Sequence, residues 1–96
     1  MQKNTILKIL TDVKKLARQN YKAEIKGIFG SYVRGEANKT SDVDVLVDFR
    51  EEADYLDLVG LALFLEKKLR HKVDVVPLSS LRKEIKAGVL KEALYL

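Results

Sequence analysis

The chain has 96 residues, with 18 Lys+Arg against 14 Asp+Glu, a formal net charge of +4, 47% hydrophobic and 33% charged residues. That balance describes one soluble globular domain with a single core, residues 1–96, and excludes a disordered chain. With no cysteine and one histidine, His71, disulfides and thiolate or histidine zinc sites are not expected, and a cytoplasmic location is the natural reading.

The amino terminus, Met1-Gln2-Lys3-Asn4, leads into no uninterrupted apolar core, so no secretory signal is expected. No apolar run approaches the ~20 residues that cross a membrane. Asn4 or Thr5 can cap a first helix. Ile6, Ile9, Leu10, Val13, Leu16 and Ala17 then recur at helical spacing as one stripe, to a frayed end near Asn20. Ile25 to Phe29 reads as a strand stopped by Gly30, and residues 31 to 41 as a turn with a short helical piece from Ser31. The β-branched run Val43 to Phe49 is the second strand. The dozen residues between the strands allow either pairing sense.

Asp54 or Asp57 can cap the next helix, whose inner face is Leu58, Leu61, Ala62, Leu65 and Leu69, widened by Val59, Leu63 and Phe64. Val73 to Val76 is a third strand, stopped by Pro77. Ser79 or Ser80 opens a last helix with Leu81, Ile85, Val89, Leu90 and Leu94 inward. The order α-β-β-α-β-α defines an α/β (α+β) domain, a small mixed sheet with helices packed on it.

Charge is unevenly placed. Asp42, Asp44, Asp48, Glu51, Glu52, Asp54 and Asp57 fall close together with Arg50 as the only base among them. Glu51, Glu52 and Asp54 read as a solvated loop. Asp42 and Asp44 differ, because strand side chains alternate and these two project to one side, about 7 Å apart along the backbone. Two carboxylates so placed suit a hard cation such as Mg²⁺. Val43, Val45 and Val47 face the other way. Asp74, between Val73 and Val75, can complete a three-carboxylate cluster if its strand neighbours the second, and Asp48 is the competing third acid. Such a cluster needs a cation to offset like charge. Upstream, Gly30 permits a tight turn, Ser31 offers a hydroxyl and following amides, and Arg34 adds charge, a combination suited to phosphate. Ser41 reads as a cap as readily as a ligand.

Gly30-Ser31, ten intervening residues and Asp42-Val43-Asp44 resemble the signature of the DNA polymerase β-like nucleotidyltransferase superfamily. The fuller string Gly30-Ser31-Tyr32-Val33-Arg34-Gly35, then Ser41-Asp42-Val43-Asp44-Val45, and the ending Lys91-Glu92-Ala93-Leu94-Tyr95-Leu96, are similar to the minimal nucleotidyltransferases, or MntA-like proteins, across essentially the whole chain. Val33 departs mildly from the alanine of many relatives. The resemblance implies a nucleotidyltransferase fold, Gly30 and Ser31 on the triphosphate, Asp42, Asp44 and Asp74 on a pair of Mg²⁺ ions, and Arg34 on phosphate or a partner. It implies ATP as substrate and an antitoxin that transfers AMP to a tyrosine hydroxyl of a HEPN-domain toxin.

Two other readings stand beside it: an antitoxin that silences its toxin by occlusion, and transfer to a small-molecule hydroxyl. Direct nucleic-acid binding ranks last, because the acidic centre opposes it. Tyr21, Tyr32, Tyr55 and Tyr95 are candidate self-modification sites, for which packing or interface roles are the favoured reading.

Overall fold

Ile6, Leu10, Val13 and Ala17 recur every three or four positions, and they are the buried residues of the first helix, α1 (Lys3–Tyr21). The computed structural model describes residues 1–96. Helix α1 begins earlier than a cap at Asn4 or Thr5 would allow. Gln2 is the N-cap and makes no side-chain cap bond, so Asn4 and Thr5 lie inside the first turn. Leu16 falls off the buried stripe and is half exposed. The helix stops at Lys22, whose left-handed backbone (φ 56°) turns its N–H onto the Ala17 carbonyl.

Strand β1 (Ala23–Phe29) starts two residues before the expected Ile25. It carries a bulge between Ile25 and Gly27 in its pairing with the next strand. The extra residue, exposed Lys26, lets both Ile25 and Ile28 face the core. A single helical turn, α2 (Ser31–Arg34), follows, then β2 (Val43–Phe49), whose boundaries match the expectation. Strands β1 and β2 are antiparallel, which settles the pairing sense left open by the loop length.

Helix α3 (Tyr55–Leu69) opens on a capping box. The Asp54 carboxylate accepts the Asp57 N–H, and the Asp57 carboxylate accepts the Asp54 N–H, both at 3.0 Å. Its buried residues are Leu61, Leu65 and Leu69, while Leu63 points to solvent at 62% exposure. The helix carries the chain across to β3 (Val73–Pro77), which lies parallel to β2.

The C-terminal region departs most from the sequence reading. Ser79 and Ser80 do not open a helix. With Leu78 they form one 3₁₀ turn, in which the Ser80 hydroxyl donates to the Pro77 carbonyl. Helix α4 (Lys83–Glu92) starts later and buries none of its residues, and Ile85 is 53% exposed. The expected inward face of Leu81, Ile85, Val89, Leu90 and Leu94 is therefore not formed. The chain turns at Ala93, and Leu94–Tyr95 becomes a short strand, β4, antiparallel to Gly27 and Ile28 of β1. Leu94, in this strand, and Leu96, just after it, pack against the core without a helix. Gly27 makes room for it, because a Cβ there would stand 2.0 Å from the Leu94 carbonyl oxygen.

The sheet order is β3-β2-β1-β4. Helices α1 and α3 cover one face, where Ile6, Leu10, Ile25, Ile28, Val43, Val45, Val47, Leu61 and Leu65 are fully buried. Burying a side chain of this size stabilises by about 1.5–3 kcal/mol. The opposite face carries Asp44. No helix is long and apolar enough to cross a membrane.

Candidate active site

Alternation along β2 sends Val43, Val45 and Val47 into the core and leaves Asp44, Leu46 and Asp48 on the other side. Leu46 is fully buried there, outside the main core. The parallel register sets Asp44 directly beside Asp74 of β3. Asp42, just before β2 and exposed, lies near enough for its charge to act on Asp44. Asp48, the competing third acid, pairs across from Glu24 at the far end of β2 and does not join them. The structure thus sets Asp44 beside Asp74 with Asp42 near enough for its charge to act, and leaves Asp48 out.

On the other side of β2, Phe29 stands opposite Asp44, so Gly30 follows beside the same carboxylate. Gly30 has φ +81° and ψ −151°, a conformation that only glycine adopts readily. Its missing side chain is also a space requirement, because a Cβ would stand 2.1 Å from Asp44 Oδ2. Ser31 opens α2, and the Val33 and Arg34 N–H groups donate back to the Gly30 carbonyl. The turn is closed by Gly35 at φ +74°.

Asp44 is the electrostatic centre. Burial, then the charges of Asp74 and Asp42, push its carboxyl up from 3.8 to about 6, with Glu92 adding and Arg34 opposing. Arg34 does not point freely at a ligand. Its Nε donates to Glu36 at 2.8 Å and its Nη1 to Glu92 at 2.8 Å. Glu92 also accepts the Gly30 N–H at 3.1 Å. Sequence spacing gave no sign of Glu92 here, since it lies 58 residues from Arg34 and 62 from Gly30.

Two clefts border this region. The smaller, about 360 Å³, is lined by Asp42, Lys39, Thr40, His71 and Lys72. The larger, about 650 Å³, lies between the start of α1 and the loop after α2. Asp44, partly buried, and Asp74, exposed, line neither. Between the clefts, His71 Nδ1 donates to the Lys72 carbonyl at 2.9 Å, which leaves Nε2 to accept the Tyr32 hydroxyl at 3.0 Å. Tyr32 packs against the core side, Tyr21 packs against Phe64 with the rings tilted, and the exposed Tyr95 hydroxyl donates to the Leu90 carbonyl. Tyr55 is exposed at the start of α3.

No three acidic or histidine side chains converge closely enough to form a ready-made cation cage. The donor chemistry nevertheless fits Mg²⁺. The donors are carboxylate oxygens, the raised Asp44 carboxyl marks a spot that favours positive charge, and Mg²⁺ takes one or two carboxylates plus water and phosphate oxygens in preference to an all-protein cage.

A mixed sheet with helices on one face, and an acidic open face beside a glycine-serine turn, define a nucleotidyltransferase. Comparison agrees. Residues 6–96 match the family model for the nucleotidyltransferase domain. The protein adenylyltransferase MntA of Thermococcus cleftensis is 47% identical over 87 residues, covering 91% of this chain and 88% of that protein. A solved structure assigned as a minimal nucleotidyltransferase covers 100% of this chain and 97% of its own, with TM-score 0.85 and 36% identity. A solved toxin–antitoxin structure with AMP-PNP has TM-score 0.69 and 27% identity, covering 99% of this chain and 72% of its own. The chain belongs to the nucleotidyltransferase domain family, and within it to the MntA-like minimal nucleotidyltransferases. It is a nucleotidyl-transferring enzyme.

Proposed function

We propose that this chain is a Mg²⁺-dependent protein adenylyltransferase, and that its 96 residues work in the cytoplasm as one minimal catalytic domain. In this reading it is the antitoxin of a HEPN-domain toxin and transfers AMP from ATP to a tyrosine hydroxyl of that partner. The observation that carries the chemistry is the register that faces Asp44 with Asp74 beside the Gly30 turn. The antitoxin role draws support from the similarity to MntA and to a toxin–antitoxin structure with AMP-PNP.

Gly30 and Ser31 would receive the triphosphate, with the small turn allowing close backbone approach. Asp42, Asp44 and Asp74 would hold Mg²⁺, which when bound supplies positive charge that neutralises phosphate oxygens and favours ionisation of the attacking hydroxyl. The tyrosine oxygen forms a bond to the α-phosphorus as the α–β bridging P–O bond breaks. Pyrophosphate leaves with that electron pair, and the hydroxyl proton passes to a carboxylate of the cluster. The protein contributes position and charge. Arg34 adds a cation beside the turn.

The test is to co-express the chain with the product of the neighbouring reading frame and measure the partner's intact mass, for wild type and Asp44→Asn. An increase matching AMP, present with wild type and lost in the variant or on chelation of Mg²⁺, is the expected result. A stable complex with unmodified partner in both samples would overturn enzymatic silencing and favour occlusion.

A further inference from the structure

Glu92 ends α4 at the point where the chain turns back to form β4. Its Oε2 accepts the Gly30 N–H at 3.1 Å, and its Oε1 accepts Arg34 Nη1 at 2.8 Å. One carboxylate thus joins the first residue of the turn to the cation whose charge reaches Asp44.

The placement of that carboxylate is set by the fold. Ala93 is buried, β4 lies tight against Gly27, and the Leu96 N–H donates to the Lys26 carbonyl at 2.9 Å. The Tyr95 hydroxyl closes back on the Leu90 carbonyl at 2.6 Å. Glu36, the other partner of Arg34, differs. It lies two residues away on the same loop and is 64% exposed, so it links Arg34 to nothing else. Glu92 remains ionised, because Arg34 and then the Gly30 N–H hold its carboxyl below the usual range. Glu92 leads into β4, the neighbour of β1 on the side away from β2, and its charge still reaches Asp44. The carboxylate therefore ties the turn and Arg34 to the end of α4.

We propose that Glu92 is a positioning residue for nucleotide binding, which holds the Gly30-Ser31 turn and the Arg34 guanidinium in the arrangement that receives the triphosphate. The inference rests on the nucleotidyltransferase reading of that turn. A glycine turn and a long arginine side chain both lose freedom when they grip phosphate, and a brace that orders them beforehand lowers that cost. Two charge-assisted hydrogen bonds to one carboxylate supply the brace. The end of α4 is thereby part of the nucleotide site.

The test is calorimetric titration of ATP with Mg²⁺ into wild type, Glu92→Gln and Glu92→Ala, alongside KM, kcat and thermal melting. Glu84→Gln on the same helix removes the same charge away from the turn and serves as control. Glu92→Gln keeps an oxygen for the Gly30 N–H and loses the ion pair. It is expected to weaken ATP binding about fivefold and raise KM in parallel, with kcat within about twofold. Glu92→Ala loses both bonds and is expected to weaken binding about thirtyfold. Should the alanine variant fail to fold, the glutamine variant carries the test alone. Unchanged ATP affinity in Glu92→Gln would reduce Glu92 to a structural tie and overturn the proposal. Tighter ATP binding would overturn it too, by showing that Glu92 competes with phosphate for the turn. A wild-type protein that binds no ATP would defeat the reading of the turn itself, a distinct outcome.

Discussion

Removing the charge of Asp44 should make the metal-free protein more stable. The carboxyl is raised from 3.8 to about 6 by burial and by Asp74 and Asp42, so its ionised form is disfavoured in the fold. At ~1.36 kcal/mol per tenfold in proton affinity the full effect is about 3 kcal/mol. The side chain is only partly buried, so solvent screening reduces the stability effect to about 1–2 kcal/mol. The sign follows from linkage. A carboxyl whose folded value is raised favours the folded state below its unfolded value, and loses that advantage as pH rises through about 6. Asp44→Asn should therefore match wild type at pH 3.5 and exceed it at pH 8. For a domain of this size each kcal/mol moves Tm by about 4–8 °C. The assay is thermal unfolding of both proteins in chelator across that pH range, repeated with Mg²⁺, which should raise the Tm of wild type and not of the variant. An Asp44→Asn protein equal to or less stable than wild type at pH 8 in chelator would refute the reasoning.

Two further substitutions probe glycines that the packing requires. Gly30→Ala would force a Cβ to 2.1 Å from Asp44 Oδ2 at a φ of +81°. It should cost about 1–3 kcal/mol in denaturant titration and lower transfer at least about a hundredfold. Gly27→Ala would set a Cβ 2.0 Å from the Leu94 carbonyl oxygen. It should destabilise by about 1–3 kcal/mol and free the Leu96 N–H from Lys26, seen as faster amide exchange at the C-terminus.

The legible parts of the sequence were those where local pattern and tertiary demand coincide. In β2 the valines and aspartates alternate at the strand period, so the core face and the acidic face could be separated before any coordinates. Asp74 followed from its place between two valines, although only the parallel register sets it beside Asp44. The C-terminal region was not legible for a physical reason. Ile85, Val89 and Leu90 have helical spacing, but spacing carries no information about whether anything lies over them. The end of α4 at Glu92 depends on Gly27 accepting a strand, a fact held in a residue far away in the chain. Glu92 shows the same limit, for neither of its partners is near it in sequence. At the amino terminus, Asn4 and Thr5 are better caps than Gln2 by propensity, yet Lys3 already has helical geometry.

The sheet has a divided labour that bears on how this protein can change. Substitutions that refill the seam between α1 and α3, around Leu10, Leu61 and Leu65, act on one surface of β2, while the aspartates occupy the other. The main hydrophobic packing and the acidic residues are thus written on opposite sides of a single strand. A lineage, or an engineer, can refill the core side with little disturbance of the acidic one, provided Val43, Val45 and Val47 keep the strand in register.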